Sequence, residues 1–358
     1  MLKIAVWYPN PEDGTSFYRG HGVFSEMEKQ FPGEVRISYL STLKENYMTE
    51  LKGNDIVFFQ RPFRHAEVET IKLCKQHCIP TVLDYDDNLF NVPVNNVFRQ
   101  MNEQAGNGDY ETHARNCMKY ADMIFVSTGE LKRQLSDKVE DPDKIKVIEN
   151  AWDSETMPMV DRYNYTQTVL WRGGHSHISD LHVFKNKFEE LVKKNRDFKF
   201  VFLGEPPTWA SNYKNTELIK TQKLPKFFKT FRLLKPALLL VPLKDYEFNH
   251  TKSNISKIEA TINGAIALCP DWPEFNWGIE GEHLYDHPAE FFDEANDVLE
   301  KLRNKDEQLE EEWEACKKFV QKYYYLFGQN KKRIDAFDEL IKQYVPDKEY
   351  SFHEGDLY

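Results

Sequence analysis

The chain has 358 residues, a formal net charge of −11, and 41% hydrophobic and 14% aromatic residues. That length exceeds one ordinary core and predicts two domains of roughly 150–180 residues each. No window approaches the ~18 consecutive apolar residues of a membrane span. The acidic balance argues against a nucleic-acid binder held by global charge, and five widely spread cysteines give neither a paired framework nor a zinc site.

In chain order, KIAVWY (3–8) reads as a first strand and not a signal peptide, because a polar loop follows at once. With the cysteines unpaired, this predicts a reduced, cytoplasmic protein. A helix near 19–30 comes next, then VRISYL (35–40) and DIVFFQ (55–60) as buried parallel strands. A helix over 65–77 leads to PTVLDYDD (80–87), and ADMIFVST (121–128) and IKVIEN (145–150) continue the pattern. Such alternation is the rhythm of a doubly wound α/β sheet, whose ligands bind at the carboxyl ends of the strands. After a polar stretch at 153–166 the rhythm restarts with TVLWRGG (168–174), a helix over 179–194, FKFVFLG (198–204), ALLLVPL (237–243) and AIALCP (265–270). The segment 295–345 is charged and helical, with amphipathic helices expected on the outside. Two basic clusters, 185–199 and 223–235, read singly as solvated helix faces; either also suits a local basic groove.

Four loops at predicted strand ends carry the chemistry. The loop 9–22, PNPEDGTSFYRGHG, holds Gly14, Gly20 and Gly22 before a helix start. Glycine lets backbone amides approach an anion there, which makes Gly20 a candidate contact for a phosphorylated ligand. Gly20-His21-Gly22 is only half of a dinucleotide fingerprint, and a plain connection is the alternative. The loop 82–93 holds Asp84, Asp86 and Asp87. Three close carboxylates need a cation, a donor or a bound hydroxyl nearby; capping of a helix start by Asp86 or Asp87 is the structural alternative. Asp84-Tyr85-Asp86 has the form of an Asp-x-Asp metal motif, but no metal is expected.

The loop 170–181, LWRGGHSHISDL, delivers Arg172 to the Gly173-Gly174 turn, with His175, His177 and Asp180 beyond. Arginine is a permanently charged fork for phosphate, and the glycines let the phosphate approach. The stretch 249–259 places Asn249, His250, Lys252 and Ser253 before a helix whose first turns carry Lys257 and Glu259. Lys252 and Ser253, with the free N–H groups of the helix start, suit a diphosphate. Glu259 is placed to accept from two neighbouring ribose hydroxyls, while Ile255, Ile258 and Ile262 hold the opposite face in the core. A capped core helix with a solvated edge is the alternative.

Taken in order, these motifs resemble the GT-B glycosyltransferases, specifically the large retaining group called glycosyltransferase family 4 with its bacterial and phage-encoded members. The resemblance spans DYDDNLFNVP, ADMIFVSTGELKRQL with IKVIENAWD, WRGGHSHISDL, and FNHTKSNISKIEATINGAIAL, over roughly residues 1–345. It implies two facing Rossmann-like domains, 1–155 and 156–325, with the terminal helix and tail 326–358 crossing back to the first. It also implies a nucleotide-diphosphate sugar as co-substrate, no permanently bound cofactor, and transfer with retention. Arg172 and Lys252 or Lys257 would then hold the diphosphate, Ser253 would add a hydroxyl bond and Glu259 would take the ribose, with Gly173, Gly174 and His177 also among the donor contacts. The chain departs from the pattern at Thr251, where the first glutamate of the paired-glutamate motif belongs, so Asn249 or a backbone amide is the candidate for the sugar contact. Asp86 or Asp87 would orient the acceptor, a glycan or a hydroxymethylated base in phage DNA. A sugar-nucleotide epimerase and a non-catalytic sugar-nucleotide binder are the competing readings.

Overall fold

The computed structural model describes residues 1–7, 10–41, 46–94, 96–106, 108–347 and 350. Tyr8 of the first predicted strand, Pro9 of the first predicted loop and the tail residues 351–358 lie outside the described residues.

The chain divides into two compact units, each described by itself. Unit 1 comprises Met1–Val92, Met101–Asn150 and Leu326–Tyr358; unit 2 comprises Pro93–Gln100 and Ala151–Tyr325. Unit 1 contains strands β1 (Leu2–Trp7), β2 (Val35–Leu40), β3 (Ile56–Gln60), β4 (Thr81–Tyr85), β5 (Met123–Val126) and β6 (Ile145–Val147). They form one parallel sheet in the order β2-β1-β3-β4-β5-β6. The runs IVFF in β3 and MIFV in β5 are buried throughout, as expected where helices cover both faces of a parallel sheet.

Unit 2 repeats the plan with β7 (Thr168–Gly173), β8 (Lys199–Gly204), β9 (Thr216–Lys220), β10 (Leu238–Leu240), β11 (Ile266–Pro270) and β12 (Leu284–Tyr285). Their order is β12-β11-β10-β7-β8-β9, again with every pairing parallel. The two outermost strands, β9 and β12, have no counterpart in the sequence reading. β9 is an edge strand with mostly half-exposed residues, and β12 has only two residues, so neither carries a buried apolar run.

The strand orders fix where a ligand can sit. In unit 1 the order reverses at β1, between β2 and β3; in unit 2 it reverses at β7, between β8 and β10. At such a switch point the loops leave in opposite directions and open a crevice beyond the carboxyl ends. The last helix, Leu326–Tyr344, belongs to unit 1. Its Phe337 is fully buried and stacks on Phe24 and Phe125 of the unit 1 core. Among the described residues no helix is long and apolar enough to cross a membrane.

Candidate functional site

At the unit 2 switch point, β7 runs through Arg172 and Gly173 into Gly174, the turn His175–His177 and the helix Ile178–Lys194. Gly173 pairs with Gly204 at the end of β8. Gly204 has φ +124°, and a Cβ there would meet the Gly173 carbonyl oxygen at 2.0 Å, so the two strand ends approach more closely than any side chain permits. A Cβ on Gly174 would meet nothing within 4 Å.

Asp180, in the first turn of that helix and buried, ties this loop to the stretch following β10. Its Oδ2 lies 3.0 Å from His177 Nδ1, and its Oδ1 accepts from Asn249 Nδ2 at 2.8 Å and from the Lys244 backbone N–H at 3.2 Å. Asn249 also donates to the Lys244 carbonyl at 3.0 Å. Two residues from separate predicted loops, His177 and Asn249, are thus oriented by one carboxylate. Beside them is a pocket of about 220 Å³, whose lining includes Ser176, Ser179, Asp180, Lys244, Asn249 and Lys252. The Lys252 ammonium lies 4.6 Å from the centre of the Phe248 ring. Ser253 follows, half-buried, just before the helix Ile255–Ile262.

Arg172 and Glu259 are not among the pocket's lining residues, but the structure brings them to each other. Arg172 Nη2 lies 2.8 Å from Glu259 Oε2, with the side chains 18% and 4% exposed. The contact is electrostatic and off the hydrogen-bonding line, since neither Nε nor Nη2 of Arg172 donates a hydrogen bond although both are buried. A buried guanidinium with two unmade donations is costly unless something accepts from it.

One expectation for this region is corrected. Lys257 is no open cation for a diphosphate: it is 2% exposed, its ammonium pairs with Glu282, donates to the Phe275 carbonyl at 2.7 Å and lies 4.4 Å from the Trp277 ring centre. Position 257 falls on the inward face of its helix, which the mixed spacing of polar residues did not reveal. Glu282, which sequence reasoning missed, also accepts from the Trp277 and Ile279 backbone N–H groups, so the pair fixes the loop after β11. Thr251, at the position of the absent glutamate, is buried and donates its hydroxyl to the Phe248 carbonyl at 2.7 Å; it offers no carboxylate substitute.

In unit 1 the three aspartates separate into two arrangements. Asp84, at the end of β4, is 1% exposed and holds Arg19 by two parallel bonds of 2.9 and 2.6 Å. Burial raises its carboxyl above the usual range, although Arg19 pulls the other way. Asp86 and Asp87 instead share Arg61, which follows β3: Nε is 2.9 Å from Asp86 Oδ1, and Nη2 is 3.0 Å from Asp87 Oδ2. Burial alone would lower the Arg61 pKa, but the two carboxylates outweigh it and hold the guanidinium above its ordinary range. Arg61 has φ +46°, a left-handed conformation that an arginine adopts only under constraint.

The chain therefore supplies the cations for its acidic loop itself. No helix starts at Asp86 or Asp87, so the capping alternative does not hold there. Gly20, expected among the donor contacts, belongs to unit 1 between the helices Gly14–Arg19 and His21–Gln30. A Cβ on it would meet Gln60 Oε1 at 2.2 Å, the end of a flexible side chain that can swing aside. Arg19 and Arg61 were missed because a lone arginine beside a strand or helix end has no sequence signature. Among the described residues no group of three or more His, Cys, Asp or Glu is arranged to hold a metal ion.

The chain has the GT-B fold. The crystal structure of Anabaena Alr3699/HepE in complex with UDP matches it with a TM-score of 0.63 at 9% identity, covering 95% of this chain and all of the other. A glycosyltransferase from Rickettsia africae ESF-5 matches with a TM-score of 0.60 at 12% identity, over 97% of this chain and 99% of its own. The UDP-GlcNAc 2-epimerase from Neisseria meningitidis, bound to UDP-GlcNAc, matches with a TM-score of 0.51 at 14% identity, over 95% and 100%. No family model matches the chain, and no curated protein matches it by sequence.

Proposed function

We propose that the chain is a glycosyltransferase that moves a sugar from a nucleotide-diphosphate donor to a hydroxyl acceptor, with unit 2 as the donor side. The observation that carries this reading is the arrangement at the unit 2 switch point. A strand-end arginine with two unmade donations meets a helix-borne carboxylate, in a fold whose solved neighbours include a UDP complex.

In this reading Lys252, Ser253 and the start of the helix Ile255–Ile262 receive the diphosphate. Arg172 turns its idle N–H groups to the same anion, and Gly173 and Gly174 admit it. These donors are fixed before the reaction, so they stabilise charge developing on the leaving group with little reorganisation. Glu259 accepts from the ribose hydroxyls. Asn249 and His177, both oriented by Asp180, face the transferred sugar. Asp86 or Asp87 aims the acceptor hydroxyl, and holding the two reactants in place is itself worth several kcal/mol, about 7–11 at best. Retention and independence of a bound metal follow from the resemblance of the motifs. The acceptor is a glycan hydroxyl or that of a hydroxymethylated base in DNA.

A thermal-shift screen against UDP, GDP, ADP, CMP and their sugar conjugates, with and without Mg²⁺, tests the reading. A ligand that binds only the folded state raises the melting point with its concentration over Kd. The expected result is a metal-independent rise with one nucleotide diphosphate; no rise with any of them overturns the donor site. The likeness to an epimerase favours a second reading, and incubation of the donor without acceptor separates the two. An epimerised nucleotide sugar identifies the epimerase, whereas slow hydrolysis of the donor identifies the transferase and excludes a non-catalytic binder.

A further inference from the structure

The two basic clusters of the sequence are equivalent on paper, and the structure tells them apart. In the cluster at 185–199 three of the five lysines are neutralised locally: Lys187 pairs with Glu190 at 3.1 Å, Lys193 with Glu189 at 3.6 Å, and Lys199 with Glu217. The second cluster lies in a stretch of different character. From Leu218 to Lys244 there is no Asp or Glu, in a chain where acids outnumber bases 58 to 47. Its basic residues recur at every third position, from Lys220 through Lys223, Lys226, Lys229 and Arg232 to Lys235.

The helix Leu224–Leu234 turns this repeat into a surface. Its rings Phe227, Phe228 and Phe231 pack inward, the last fully buried against the unit 2 core. Arg232 is engaged by the Asn263 side chain at 2.8 Å. Lys226 and Lys229 point outward on one stripe with Leu233, at spacings of three, four and seven residues. Lys220, Lys226, Lys229 and Lys235 are exposed and form no salt bridge among the described residues.

We infer that this face docks the phosphate backbone of duplex DNA. A spaced row of single ammonium charges suits a polymer with one permanent charge per repeat better than a compact multiply charged ligand. The aromatic rings needed to stack on unpaired bases are spent in the core, which disfavours single strands. The same packing disfavours a lipid surface, because a helix lying in a membrane interface must present its apolar face to it, and here only Leu233, 69% exposed, remains outside. The row lies in a run of 27 residues without an acidic side chain in a chain of net charge −11, which concentrates positive charge locally. The inference extends the acceptor side of the proposed function and rests on that reading only for the step from docking to transfer.

Fluorescence anisotropy of the full-length chain with a labelled 30-base-pair duplex, titrated across NaCl concentration, tests it. The expected result is binding at low salt whose log K falls with log [NaCl] at a slope of about −3 to −4, as four lysines on phosphates require. The double variant Lys226→Glu, Lys229→Glu is expected to bind at least tenfold more weakly while keeping its melting point and its response to nucleotide. The control Lys187→Glu, Lys193→Glu, in the neutralised cluster, is expected to bind DNA like the parent. Absence of salt-dependent binding, equal weakening by the control, or tighter binding to phosphatidylglycerol vesicles or to heparin than to DNA overturns the inference. A lost nucleotide response with DNA binding intact overturns the donor site instead.

Discussion

Both units place an arginine at the carboxyl end of a strand next to a switch point, and the two are used differently. Arg61 in unit 1 has donations to two carboxylates and is held in a left-handed backbone conformation. Arg172 in unit 2 touches one carboxylate and leaves Nε and Nη2 undonated. Deeper in unit 1, Arg19 is saturated altogether, with Asp84, the Ile148 carbonyl and Asn150 around it. A saturated guanidinium fixes its neighbours, whereas an unsaturated buried one carries a standing cost that a phosphate relieves. Idle donors alone do not mark a binding arginine, because Arg333 of the last helix also leaves Nε and Nη2 undonated; Arg172 differs in standing at a strand end beside the switch point.

That contrast breaks most visibly at Arg19. Arg19→Met strands a carboxylate that is 1% exposed and is expected to cost about 3–5 kcal/mol, read as a fall in the urea midpoint; a loss below 1 kcal/mol would show that Asp84 finds another partner. Arg61→Met is expected to cost about 1–3 kcal/mol with nucleotide affinity unchanged in calorimetry, because its carboxylates keep partial access to water. Glu259→Gln reverses the pattern: nucleotide binding weakens by about 1–3 kcal/mol and the melting point stays near that of the parent. If Glu259→Gln binds every nucleotide as the parent does, the donor site lies elsewhere.

The smallest effect concerns a buried acid without a saturating cation. Burial pushes Glu312 up to about 7 from an ordinary 4.5, against the pull of His283 and Lys257 and with Glu282 adding to the rise; Lys301 pulls it down weakly. The folded state therefore keeps a proton that the unfolded chain has already lost in this window. The stability due to protonated Glu312 is complete below about pH 4.5 and is lost as pH rises through about 7. The melting point of the parent is expected to decline from pH 5 to 8 more steeply than that of Glu312→Gln; parallel profiles would remove Glu312 from the account.

Most strands were legible because a parallel strand covered on both faces must be apolar along its whole length. VRISYL matches β2 residue for residue, and TVLWRGG overruns β7 by one. TELIK of β9 escaped because an edge strand buries little, and the helix expected over 19–30 is His21–Gln30, preceded across Gly20 by the short helix Gly14–Arg19. Within the candidate site, the sequence identified the loops that meet at the unit 2 switch point but not the roles inside them. Lys252 and Lys257 look alike in a string of letters, yet one borders a pocket and the other is sealed against Glu282. Asp180 has no sequence signal of its own, because its importance lies in the three groups it gathers, two of them from some 65 residues away.

The helix Leu326–Tyr344 also has a bearing on how the protein is made. Its Ile334, Ala336, Phe337, Leu340 and Ile341 complete the unit 1 core, whose other buried members are contributed by residues 2–148. On a ribosome, unit 1 therefore waits for all of unit 2 to be synthesised, roughly 10–40 s at ordinary elongation rates. During that interval Phe24 and Phe125 lack the cover of Phe337, and unit 2 is complete at Tyr325, before the last helix of unit 1 is made. Nascent chains stalled before residue 326 are expected to hold a protease-resistant unit 2 beside a sensitive unit 1, which would make the N-terminal half the client of chaperones.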